Sequence, residues 1–189
     1  MKIGVLGLQG DVREHCALLE RVGATSVIVK HAEELASVDA LILPGGESTT
    51  IGKLLERYAL LQPVRERAAH GMPVYGTCAG AILMAREITG PEPAPNRLEL
   101  MDVAVERNAY GRQVDSFEAD LRVGGFDERF RAVFIRAPVI RAAGDAVEVL
   151  AVCDDRPVLV RQGKLLASTF HPEMSGDPRI HELFLEMVG

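Results

Sequence analysis

Four short apolar runs, KIGVLGL (2–8), TSVIVK (25–30), DALIL (39–43) and PVYGT (73–77), alternate with segments of helical spacing, and this alternation constrains the fold more than any other feature. Between the first two runs, Val12, Cys16, Leu19 and Val22 recur at the interval of a helix over 11–22, and Gly23 supplies a stop. Helices from about Ser48 to Tyr58 and near 61–70 continue the order. Strands that are apolar along their whole length are covered on both faces, so the pattern predicts a parallel sheet between helical layers. A further helix is expected over 79–87 and a loop over PEPAPN (91–96). The chain then becomes strand-rich, over 100–107, 114–123, 132–137, 146–153, 157–162 and 164–170. Asp177 and Pro178 suit the cap and first position of a closing helix to Val188. With 189 residues and no repeat or linker, one domain over 1–189 is expected.

The formal charge of −6, with Lys and Arg scattered, offers no basic footprint for nucleic acid and no polybasic membrane patch. The opening MKIGVLGLQGD has an apolar run too short and too interrupted for a signal peptide and reads as a buried strand. No segment approaches the roughly 18 consecutive apolar residues of a membrane helix. Cys16, Cys78 and Cys153 are odd in number, far apart and outside any zinc-type spacing, so reduced thiols, a cytoplasmic location and no metal are expected.

Gly76-Thr77-Cys78-Ala79-Gly80 has the form of a nucleophile elbow with cysteine at its centre. Such a turn holds its nucleophile in a strained conformation, and small flanking residues avoid the clashes. A helix starting after Cys78 directs free N–H groups at the sulfur, which favours the thiolate. Cys16 and Cys153 read as packing residues instead.

A cysteine nucleophile needs a base and a group that orients the base. Of five histidines, His15 and His181 fall in expected helices, His31 in a turn and His70 at a helix end, each most simply a surface or boundary residue. His171, in STFHPEMSG, ends an expected strand; in an extended chain Glu173 lies on the same side and can orient the ring. In LILPGGESTT (41–50), Gly45 and Gly46 can expose backbone N–H groups to an oxyanion. The Ala79 N–H is the second expected donor. The phosphate-loop patterns GxxxxGK[ST] and GxGxxG are absent from this stretch.

PGGES, GTCAG and FHPE, in that order, resemble the class I, triad-type glutamine amidotransferases. A closer resemblance, over nearly the whole chain, is to the glutaminase subunits of pyridoxal 5′-phosphate synthases, through GVLGLQGDVREH, LPGGESTTI, VERNAYGRQVDSFEADL and VFIRAP. The resemblance implies a three-layer αβα fold of flavodoxin-like type with a mostly parallel central sheet. It also implies hydrolysis of L-glutamine to glutamate and ammonia by Cys78, His171 and Glu173, without a cofactor. Gly46 and Ala79 would form the oxyanion hole, and Gly46, Glu47, Ser48, Arg107, Ile135 and Arg136 would contact glutamine. An arginine can pair the substrate carboxylate bidentately, and both Arg107 and Arg136 fall at expected strand ends. The implied partner is a synthase subunit that uses the ammonia to build pyridoxal 5′-phosphate from ribose 5-phosphate and glyceraldehyde 3-phosphate. An amidotransferase subunit of another pathway, such as histidine or nucleotide synthesis, and a non-catalytic regulatory module of the same fold are the alternatives.

Overall fold

A computed structural model describes residues 1–90, 94–107 and 116–189. The chain opens with β1 (Lys2–Leu6), α1 (Val12–Arg21), β2 (Thr25–Val29), α2 (Ala32–Ala36), β3 (Ala40–Leu43), α3 (Ser48–Arg57) and α4 (Leu61–Ala69). The middle runs through β4 (Val74–Thr77), α5 (Ala79–Met84), β5 (Ala85–Thr89), β6 (Met101–Glu106), β7 (Ser116–Leu121), β8 (Phe130–Ile135) and β9 (Val139–Ala143). It closes with β10 (Glu148–Cys153), β11 (Arg156–Gln162), β12 (Leu165–Ser168), α6 (Pro172–Ser175) and α7 (Arg179–Glu186).

A seven-stranded sheet has the order β10-β11-β12-β4-β3-β1-β2. From β2 across to β12 every pairing is parallel, and β11 and β10 add an antiparallel edge. Its strands show how a continuous apolar run divides between two faces. Ile3 and Val5 of β1 and Ala40 and Ile42 of β3 pack in one core with Leu19 of α1 and Ile180 and Phe184 of α7. Their neighbours Leu6, Leu41 and Leu43 pack in the other, with Ile51 and Leu55 of α3, Val64 of α4 and Leu83 of α5. The period of two along a strand thus yields three layers, helices on both faces of a mostly parallel sheet. Two smaller sheets, β5-β6-β9 and β7-β8, carry much of the strand-rich half.

The helix expected over 79–87 ends at Met84, and the chain turns directly into β5. The carbonyls of Leu83 and Met84 accept the N–H groups of Leu98 and Leu100 at 2.7 and 2.9 Å, so distant backbone satisfies the helix end. α2, β9 and α6 were not expected from the local pattern; β9 exists through antiparallel pairing with β6. α7 starts at Arg179, one residue later than expected, and the Asp177 carboxylate accepts the Arg179 N–H at 3.1 Å. Residues 91–93 of the expected PEPAPN loop, and 108–115 within VERNAYGRQVDSFEADL and the strand expected from 114, lie outside the described residues.

Candidate active site

The carboxyl ends of β1, β3, β4 and β12 meet at one rim of the central sheet, where open α/β folds place their ligands. Cys78 follows β4 directly, with φ 47° and ψ −101°, a positive-φ conformation costly for a residue with a side chain. Its N–H donates to the Ser168 carbonyl at 2.8 Å, which ties the turn to β12. The flanking glycines are sterically required. A Cβ on Gly76 would lie 2.5 Å from the Gly80 carbonyl carbon, and one on Gly80 would lie 2.1 Å from the Leu43 carbonyl oxygen. Those contacts let strand, turn and helix fold back against β3, and this is the elbow expected from GTCAG. Cys78 is 6% exposed, with its Sγ 3.9 Å from the Ile135 carbonyl oxygen. Cys16 and Cys153 are half-buried beside the second core, in keeping with packing roles.

His171 follows β12 by three residues and is anchored by its N–H to the Val133 carbonyl of β8 at 2.8 Å. Its Nδ1 lies 2.8 Å from Glu173 Oε1 and 3.3 Å from Asp11 Oδ2. The contact between His171 and Glu173 is the expected one, but its local geometry is not. Glu173 sits in the first turn of α6, with His171 as the cap residue, and not two residues along an extended chain. Pro172 at the first helical position accounts for the difference, since its fixed φ suits a helix start as well as a strand end.

Burial opposes a charge on His171, but hydrogen bonds with Asp11, Cys78 and Glu173 outweigh it, and its pKa is pushed up to about 12. These contacts favour a protonated ring. Burial also raises the Glu173 carboxyl, partly offset by the His171 ring. Asp11, His171 and Glu173 bring ligand atoms within 4.8 Å of one another, a spacing a metal ion can use. A proton on Nδ1, donated to the carboxylates, accounts for the same cluster without an ion.

The remaining expected residues face one cleft of about 430 Å³, lined by Gly46, Glu47, Ser48, Cys78, Ala79, Arg107, Ile135 and Arg136. Gly46 has φ +152°, and Gly45 packs so close to His171 that a Cβ there would lie 2.4 Å from Cε1. Glu47 is already engaged: its carboxylate caps α3, accepting the Thr49 and Thr50 N–H groups at 3.0 and 2.6 Å. Its own N–H donates to Gln9 Oε1 at 2.8 Å. Arg107 is buried and donates to Thr49 Oγ1 at 3.3 Å. Arg136 is exposed and adopts φ 43°. Both arginines do follow strands, β6 and β8, but these belong to the smaller sheets, and from there the two residues line the cleft that holds Cys78 and His171.

Sequence reasoning missed three polar residues. Asp11 stands at the N-terminal cap position of the first helix after β1, makes no capping hydrogen bond with its side chain, and turns its carboxylate to His171. His15 and His181 are fully buried, contrary to the expectation of surface or boundary positions. The signal for His15 was present, because it shares the helical interval of Leu18, Leu19 and Val22. His31 and His70 are exposed, as expected.

The SNO glutamine amidotransferase family matches residues 5–189. A protein of Frankia casuarinae named pyridoxal 5′-phosphate synthase subunit PdxT is 57% identical over 188 residues, 99% of this chain and 94% of that protein. One of Kosmotoga olearia with the same name is 55% identical over 191 residues, covering 100% and 99% of the two chains. A crystal structure of a glutamine amidotransferase superposes with a TM-score of 0.94 at 55% identity, covering 99% of this chain and 98% of that one.

Proposed function

The chain belongs to the SNO glutamine amidotransferase family, and on that premise we propose that it is the glutaminase subunit of a pyridoxal 5′-phosphate synthase. It hydrolyses L-glutamine to L-glutamate and ammonia and passes the ammonia to a synthase subunit. The observation that carries the reading is Cys78 in a strained elbow beside a His171 ring held by Glu173 at 2.8 Å.

In this reading the Cys78 thiolate attacks the side-chain amide carbon of glutamine. The oxyanion that forms is met by the N–H groups of Gly46 and Ala79. His171 gives its proton to the departing nitrogen, the C–N bond breaks, and ammonia leaves a γ-glutamyl thioester on Cys78. Neutral His171 then takes a proton from water, whose oxygen attacks the thioester. The C–S bond breaks, glutamate leaves, and the thiolate–imidazolium pair returns. Glu173 orients the ring throughout. Arg107 and Arg136 pair the substrate carboxylate, while Ser48 and Ile135 shape the pocket. Glu47, occupied as a helix cap, supports the turn that carries Gly46.

Nitrogen must leave as ammonia, because ammonium has no lone pair for attack, so direct transfer to a bound synthase subunit fits the chemistry. Relatives of 55–57% identity named for this synthase weigh against a histidine or nucleotide pathway. A complete triad weighs against a regulatory module. We assign the protein to the cytoplasm, a reading supported by three free cysteines. Among the described residues no helix is long and apolar enough to cross a membrane. A single glutaminase domain over 1–189 is supported by the span of the family match.

Mixing the chain with the synthase subunit and following pyridoxal 5′-phosphate formation tests the assignment. With Cys78→Ala, the complex is expected to lose glutamine-dependent formation while an ammonium salt still supports it. Glutamine-dependent formation at the wild-type rate would overturn the nucleophile.

A further inference from the structure

Glu173 has two carboxylate oxygens, and the triad uses one. Oε1 meets His171; Oε2 is buried, accepts no hydrogen bond among the described residues, and lies 3.5 Å from His15 Nε2. His15 Nε2 is also 3.2 Å from the hydroxyl of Thr77, the residue before Cys78. On its other side His15 Nδ1 lies 2.9 Å from His181 Nε2. The second nitrogen of His181, Nδ1, is buried and unpartnered among the described residues. Two histidines with no exposure thus stand in line behind the carboxylate that orients the catalytic ring.

The protons in this line can be assigned. Burial, then the neighbouring His181 and His171, lower the His15 pKa well below its ordinary value, and burial lowers that of His181 to about 4. Both rings are neutral near pH 7, so each carries one N–H, and the 2.9 Å contact holds one hydrogen. If His15 donates from Nδ1, its Nε2 presents a lone pair to a carboxylate, and the His181 Nδ1–H is buried without an acceptor. If His181 donates from Nε2, the His15 proton sits on Nε2, where Thr77 Oγ1 accepts it at 3.2 Å and Glu173 Oε2 stands 3.5 Å away as an electrostatic partner. The second arrangement leaves only one bare acceptor, on His181, and avoids lone pair against carboxylate.

We propose that His15 is a positioning residue of the glutaminase site: as its Nε2–H tautomer, fixed by His181, it holds the outer oxygen of Glu173 and so keeps the inner oxygen on His171. This rests on the triad reading above. Burial favours protonation of Glu173, and a protonated carboxyl orients the ring less well. An N–H at Oε2 opposes that protonation. The titratable groups around the line are Glu173 and His171 at one end, Asp11 beside His171, Cys78 beyond it, and His181 with the edge of Tyr75 at the other.

Two substitutions separate positioning from packing. Gln places its amide nitrogen near the position of His Nε2, whereas Asn reaches only as far as Nδ1. In the full chain with its synthase subunit, His15→Asn is expected to lower kcat for glutamine about tenfold and leave KM within about twofold. The acid limb of its kcat/KM profile should rise by roughly one pH unit. His15→Gln is expected to recover most of the kcat and the wild-type limb. Equal kcat and equal limbs in the two variants would overturn the proposal. The nitrogen-15 NMR shifts of His15 in the wild-type chain test it without any variant: a protonated Nε2 and bare Nδ1 at pH 7 are expected, and the opposite tautomer or an imidazolium would refute it. Failure of the triad reading shows separately, as glutamine turnover that survives Cys78→Ala, and would remove the proposal with it.

Discussion

At the residue scale, the site divides into groups that must transfer something and groups that must stay still. In the proposed mechanism His171 transfers protons and Glu173, 2.8 Å from its Nδ1, does not. His171→Asn is therefore expected to reduce glutamine turnover by about 10²–10⁴-fold, the usual worth of a general acid–base group, and Glu173→Gln by clearly less. Steady-state turnover of both variants with the synthase subunit checks the order, and a larger loss in Glu173→Gln would reverse the two roles. Asp11 offers a second carboxylate at 3.3 Å from the same nitrogen, which is one reason the Glu173 variant should retain activity. That Cys78, His171 and Glu173 come together was legible because each stands in a short motif whose residue types and spacing point to one chemistry, although distant backbone holds the motifs in place. Asp11 was not, because only the fold sets the β1–α1 turn beside the end of β12.

At the scale of elements, the strands β1 to β4 and the helices α1, α3 and α4 were legible for a physical reason: each carries its own apolar period and its own stop. The expected helices over 11–22, 48–58 and 61–70 stand at Val12–Arg21, Ser48–Arg57 and Leu61–Ala69. The errors occur where an element depends on a distant one. α5 stops at Met84 because residues 98 and 100 take its last carbonyls, and β9 forms because β6 is there to pair with it. The elbow between β4 and α5 depends on contacts of the same distant kind, which gives a test. A Cβ on Gly80 would meet the backbone carbonyl oxygen of Leu43, at the end of β3, at 2.1 Å. Gly80→Ala is expected to destabilise the fold by about 3 kcal/mol or more, in the range of severe core strain. For a chain of this size each kcal/mol is worth about 2–4 °C, so a melting temperature lower by several degrees is the outcome that checks it. An unchanged melting temperature would mean that β3 and α5 approach less closely than this.

At the scale of the whole molecule, burying neutral histidines makes folding depend on pH, with a sign that follows from proton counting. The pKa of His181 falls from 6.5 to about 4 on folding, and that of His15 falls in the same direction. Between these limits the unfolded chain binds protons that the folded chain refuses, so stability falls as pH is lowered from about 6.5. His171 is raised, so its contribution still grows as pH falls through 6.5, and it opposes the loss there by at most half a proton. Glu173 is raised above 4.5 and also opposes the loss, by at most one proton against at most two. Glu34, Glu47 and Asp177 are held below their ordinary values, and their losses come at lower pH. One proton of difference amounts to about 1.4 kcal/mol per pH unit. The melting temperature is thus expected to drop by several degrees from pH 6.5 to 5.5. His181→Gln keeps a donor facing His15 and cannot titrate, so its melting temperature should fall less over the same interval. Parallel curves for the two proteins would mean that acid acts elsewhere, and that the histidine pair behind the triad is not held neutral by its burial.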